Sequence, residues 1–147
     1  MSRRVLGYLL TWMAERKAKV FVVATANAVD EMPAELLRKG RFDEIFFVDL
    51  PQASVREEIF AMHLTRRKLA TATFDLAALA AASDGYSGAE IEQTVVSSLY
   101  DAAGSGTPPD QATLLNALQQ TRPLSVLMRE QVQALRTWAR ERCVAAD

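Results

Sequence analysis

Leu36-Leu37-Arg38-Lys39-Gly40-Arg41-Phe42-Asp43 sets two arginines three residues apart around a glycine, on a segment that reads as a loop. Upstream, Val20-Phe21-Val22-Val23-Ala24-Thr25-Ala26-Asn27 is an apolar run that turns polar at its end. A guanidinium stays charged and can donate two parallel hydrogen bonds to phosphate oxygens, so arginines placed this way suit phosphate recognition. The short β-branched run predicts a strand over 20–24, buried on both faces of a parallel sheet. Thr25 and Asn27 then fall at its C-terminal tip, where open α/β sheets put their ligand sites.

Working outward, Val5, Leu9, Trp12 and Met13 recur at helical spacing and predict a helix over 3–17, with Arg16 and Lys17 suited to its C-terminal end. Pro33 opens and Gly40 stops a short helix over 33–38. Ile45 to Leu50 reads as a second buried strand, ended by Pro51. Two parallel-type strands joined by a helical segment make an α/β layer, but two strands alone make a poor sheet. The strands are therefore expected to pair with something else or to belong to an incomplete sheet.

Beyond Pro51 the pattern is helical. Ser54-Val55-Arg56-Glu57 reads as a capping box starting a helix to about Lys68, and Asp75 caps a short helix to about Ala82. Gly85 supplies a turn, and Ser87-Gly88-Ala89-Glu90 is a second capping box, opening a helix that buries Ile91, Val95 and Leu99 and ends near Ala103. Gly104 to Pro109 is a loop, and helices follow near 110–121 and over about 126–143. The expected organisation is an α/β piece over 1–51, with two parallel-type strands and helices, followed by an all-α part over 52–147.

The 147 residues suit one domain or two small ones, and half of them are hydrophobic, enough to bury a core. Formal net charge is −1, which gives no general pull toward nucleic acid or anionic membrane. Any basic site must therefore be local. Cys143 is the one cysteine and His63 the one histidine, so neither an internal disulfide nor a multi-histidine metal site is possible. No apolar run reaches transmembrane length, and a reducing cytoplasm is the expected compartment. Taken on spacing alone, Arg38 and Arg41 read equally as surface arginines paired with Asp43 or Glu44, Asn27 as a turn former, and His63 as a half-exposed histidine on an amphipathic helix. Gly88 and Ala89 double as first-turn residues of a capped helix.

The ordered pair of Ala24-Thr25-Ala26-Asn27 after an apolar run and Leu36 to Asp43 after it resembles the second half of an AAA-type ATPase domain, and the stretches Asp43 to Pro51 and Arg122-Pro123-Leu124-Ser125 look most like the uncharacterised plastid and cyanobacterial-type AAA proteins. The resemblance implies that Asn27 orients the water attacking the γ-phosphate. It implies that Arg38 and Arg41 are arginine fingers, acting on ATP bound by a neighbouring subunit of a ring. Charge spreads over the γ-phosphoryl oxygens in the transition state, and an added cation stabilises it. It further implies a helical lid in which Ile59, His63, Gly88 and Ala89 surround the adenine and ribose; Ile59 and His63, four apart, share a helix face.

One departure is clear. A phosphate-binding loop needs Gly-x-x-x-x-Gly-Lys-Ser/Thr, and none of the six glycines is followed by lysine. The resemblance puts the start of the chain just after the point where the Mg²⁺-binding acidic pair would lie. The implied function is the C-terminal part of an AAA ATPase that couples ATP hydrolysis to remodelling of an unknown protein substrate in the intact protein. ATP or ADP with Mg²⁺ would be its cofactors there. This chain alone is expected to be inactive, to hold no metal, and to bind no nucleotide tightly. Its expected partners are other AAA subunits, with no nucleic acid and no membrane. The alternative is a free-standing, non-catalytic interaction module that docks on or regulates another AAA subunit.

Overall fold

The structure is a computed structural model that describes residues 3–15, 17–26, 33–37 and 41–146. The chain divides into two compact units. One comprises Met1–Phe47 with Thr137–Asp147, and the other Val48–Arg136.

In the first unit, α1 (Arg3–Glu15) and α2 (Ala34–Leu37) match the expected helices in place and type. The sheet does not match. The strand expected at 20–24 is absent: residues 17–26 form no strand, and Phe21 and Val23 are exposed by 91% and 76%. A central parallel strand is apolar because neighbouring strands and helices cover it. Without that cover, the same run lies open. The second expected strand shrinks to β1 (Phe46–Phe47), which pairs in parallel with β2 (Val144–Ala145). Hydrogen bonds from the Val144 N–H to the Ile45 carbonyl and from the Ala146 N–H to the Phe47 carbonyl close that ladder. The parallel pair thus joins 46–47 to the chain's last residues, where a helix had been expected to about 143. That helix, α8 (Arg129–Arg140), ends three residues sooner.

The second unit is helical. Its α3 (Ala53–Arg66) opens one residue before Ser54, with Gln52 as its N-cap and no side-chain cap bond. The capping box predicted at Ser54 therefore does not form, because a serine already inside the first turn cannot accept from the N–H groups ahead of it. After a 3₁₀ turn at Thr71–Thr73 comes α4 (Leu76–Ala82), where the Asp75 carboxylate accepts from the Ala78 N–H at 2.9 Å, as expected. The capping box at Ser87–Glu90 is complete and starts α5 (Gly88–Ser105), which stops at Gly106 in the left-handed region. Asp110 caps α6 (Gln111–Gln120). The short α7 (Leu124–Leu127) then precedes α8, so the single helix expected over 126–143 is broken at Met128.

One core holds this unit together. Phe60 and Leu64 of α3, Leu79 of α4, Ile91 and Val95 of α5, and Leu114 and Leu118 of α6 pack with Phe74 and Tyr86. Burying such side chains stabilises by roughly 1.5–3 kcal/mol each. Tyr86 is buried, and its hydroxyl reaches the carbonyls of Leu118 and Thr121 at 2.9 and 2.6 Å, so its polar end is satisfied where α6 stops. Among the described residues no helix is long and apolar enough to cross a membrane.

Candidate functional site

The core that joins α3 to α5 also fixes what lies on their shared edge. Ile59 and His63 are one turn apart on α3, and Gly88 and Glu92 are one turn apart on α5. The two turns meet rung by rung. A β-carbon on Gly88 would stand 3.6 Å from Ile59 Cδ1, and His63 Nδ1 stands 3.6 Å from Glu92 Oε1. Ala89 is exposed beside Gly88. Ile59, His63 and Gly88 thus sit together along the α3–α5 seam, brought there from two stretches of chain about 30 residues apart, and Ala89 follows Gly88 in the chain.

His63 is not half-exposed as expected from the sequence; its side chain is only 6% exposed. Arg67, at the C-terminal cap of α3, donates from one guanidinium nitrogen toward His63 Nδ1 at 3.3 Å. It donates from the other to Glu92 Oε1 at 3.0 Å. Burial lowers the His63 pKa, Glu92 raises it, and Arg67 and Arg66 lower it; the outcome is a pKa below the ordinary 6.5. The imidazole is therefore neutral near pH 7. Arg67 and Glu92 are the residues that the sequence reading missed. The available signal was spacing: Arg67 is four residues from His63, and Glu92 four from Gly88.

The remaining candidates belong to the first unit. Asn27 and Arg38 lie outside the described residues. Arg41 is half-buried, and its guanidinium donates to the Leu10 carbonyl of α1 at 2.8 Å. A guanidinium has five N–H donors, so this bond leaves others for a phosphate. Neither Asp43 nor Glu44 is its ion-pair partner. Among the described residues, no three histidine, cysteine or acidic side chains gather as metal ligands. Burial pushes the Cys143 thiol up, with Arg142 opposing, so the thiol is a poor nucleophile.

The family profile for the ATPase family associated with various cellular activities (AAA) matches residues 1–50. The uncharacterized AAA domain-containing protein ycf46 of Pyropia yezoensis is 44% identical over 139 residues, covering 94% of this chain and 28% of that protein. The chain belongs to the AAA family. The ycf46 protein of Guillardia theta is 42% identical over the same length, again 94% of this chain and 28% of the relative. The proteasome-activating nucleotidase of Aeropyrum pernix is 39% identical over 88 residues, 60% of this chain and 21% of that protein. The chain spans 28% of the length of the ycf46 proteins it matches. Among the AAA candidates, Asn27, Arg38 and Arg41 fall within the matched 1–50, and the α3–α5 face lies beyond it.

For a nucleotide, the α3–α5 face offers an apolar side chain (Ile59), a bare backbone (Gly88) and a neutral ring donor or acceptor (His63). These suit a base and a ribose. The Gly-Lys phosphate cradle is not part of this sequence.

Proposed function

We propose that this chain supplies the trans-acting and base-side parts of an AAA ATPase. Arg41, with Arg38, presents positive charge to the γ-phosphate of ATP held by a neighbouring subunit in a ring. Asn27 orients the attacking water. Ile59, His63, Gly88 and Ala89 receive the adenine and ribose. ATP hydrolysis in the intact protein then drives remodelling of a protein substrate. Mg²⁺ would be held by residues outside this chain, and there it would neutralise phosphate charge.

The observation that carries this reading is the convergence of Ile59 and His63 with Gly88 on one face. Residues that the family resemblance implies for the base side, and that are separated along the chain, lie next to one another across the α3–α5 seam.

The test is a substitution in the intact protein. Arg41→Ala should lower ATP turnover by roughly three to five orders of magnitude while nucleotide affinity stays within a few-fold. Turnover at the wild-type rate would refute the finger assignment. The Arg41–Leu10 hydrogen bond gives an internal control. Melting temperature should fall little, because one hydrogen bond contributes only about 1 kcal/mol.

A further inference from the structure

The environment of the two His63 nitrogens is unequal. Nδ1 faces the Arg67 guanidinium at 3.3 Å, and a guanidinium can only donate. Glu92 Oε1 stands 3.6 Å from Nδ1, beyond hydrogen-bond reach, and is already engaged by Arg67 at 3.0 Å. The same arginine nitrogen also lies 3.4 Å from the His63 carbonyl, so its direction is set from two sides. Nδ1 must therefore offer its lone pair, and the ring proton must sit on Nε2.

Among the described residues, no group is hydrogen-bonded to Nε2. No buried side-chain nitrogen or oxygen there lacks a partner either. Nε2 therefore reaches the surface, although the side chain as a whole is 6% exposed. A nearly buried ring whose Nε2 is unpartnered and not fully enclosed can act as a donor. Its aromatic faces and Nδ1 are taken up by the protein; only the proton on Nε2 is offered.

We propose that Arg67, braced by Glu92, is a positioning residue that holds His63 as the neutral Nε2–H tautomer, so that the ring donates a hydrogen bond to a lone pair on the nucleoside: a purine ring nitrogen or a ribose oxygen. This deepens the base-side reading given above and rests on it. A group that can only donate, such as an exocyclic amine, is refused at this point, because two donors would face each other. Arg67 does not touch the ligand; it acts through the imidazole.

His63 is the only histidine in the chain, so its ring can be read without assignment. Ring-¹⁵N spectra of the 147-residue chain, taken without nucleotide and above the histidine titration, should show Nε2 protonated and Nδ1 bare. Arg67→Met removes the donor and leaves Glu92 facing Nδ1. The ratio of the two tautomers should then shift by about tenfold toward Nδ1–H. Should Arg67→Met fold poorly, Glu92→Gln is the second variant. It loosens the brace, and the shift should go the same way but be smaller. A bare Nε2 in the wild-type chain, or an unchanged ratio in both variants, would overturn the tautomer lock.

In the intact ATPase, Arg67→Met should raise the KM for ATP about tenfold and leave kcat within about twofold. A tautomer shift with an unmoved KM would overturn the nucleoside contact alone. That result would trace the failure to the base-side reading and not to Arg67, because the ring spectrum is recorded with no nucleotide present.

Discussion

Gly85 and Gly88 lie three residues apart and are glycine for different reasons. Gly85 has φ +77°, and a β-carbon there would come within 2.8 Å of Ser125 Oγ, which donates to the Gly85 carbonyl. Gly85→Ala should therefore cost at least about 1–2 kcal/mol from the left-handed backbone alone. Gly88 has an ordinary helical backbone, and an added β-carbon would meet only Ile59 at van der Waals distance. Gly88→Ala should leave stability unchanged or raise it by about 0.4–1 kcal/mol, through a less flexible unfolded chain. Urea melts of the two variants should separate in these opposite directions. A destabilised Gly88→Ala would show that this backbone is constrained by the fold itself. At this scale the sequence disclosed which residues share a face better than how they are set. Spacing puts Ile59 and His63 on one face. Burial of His63, and its hold by Arg67 and Glu92, depend on how closely α5 approaches α3.

At the scale of elements, α3 shows how a tertiary contact takes over a local signal. Arg56 is buried in its first turn. The guanidinium donates to the Ala80 carbonyl in the last turn of α4 at 3.1 and 3.0 Å and to the Pro51 carbonyl at 2.8 Å. The carbonyl end of a helix attracts positive charge, which favours this seat. Asp84, 3.3 Å away, is 90% exposed and adds little. Starting α3 at Ala53 gives up the Ser54 cap, worth about 1 kcal/mol, and accompanies three charge-assisted hydrogen bonds. Arg56→Met should cost about 2–3 kcal/mol, since it strands carbonyls that the guanidinium now satisfies. Asp84→Asn should cost less than about 0.5 kcal/mol. Thermal denaturation of the pair checks this, and equal losses would assign the stabilisation to the ion pair instead. The Ser87–Glu90 box shows the opposite case. It was legible because both of its bonds close within one turn, and Glu90 adds a contact with the Leu124 N–H at 2.7 Å that no local pattern announces.

For the molecule as a whole, the acid side of the stability curve should have two steps. The His63 pKa is held below 6.5, by burial first, with Glu92 opposing and Arg67 and Arg66 adding to the lowering. The unfolded chain therefore takes up the proton before the folded one, and stability falls as pH drops below 6.5. Burial would raise the Glu90 pKa, but hydrogen bonds from the Leu124 and Ser87 N–H groups and from the Ser87 hydroxyl outweigh it and hold the pKa below 4.5. Its contribution is present above 4.5 and is lost as pH falls below it. Glu92 and Asp110 are shifted in the same direction, but solvent screens both. Melting temperatures from pH 7.5 to 4 should thus decline in both ranges, and His63→Gln should remove the upper step only. An undiminished upper step in that variant would assign it to other groups.

The sequence by itself determined helices α3 to α6, the caps at Asp75 and Ser87, the arginine motif within an AAA pattern, and the lack of a Gly-Lys phosphate loop. Each of these is local: periodicity and capping are satisfied within about four residues. Tertiary structure decided what depends on a distant partner. An apolar run becomes a strand only where another backbone completes its hydrogen bonds. Thus 20–24 forms none, and Phe46–Phe47 takes Val144–Ala145 instead. A histidine's charge and tautomer follow from burial and from what faces each nitrogen. The chain pattern could mark His63, but only the packing of α5 against α3 could make it a neutral, one-sided donor.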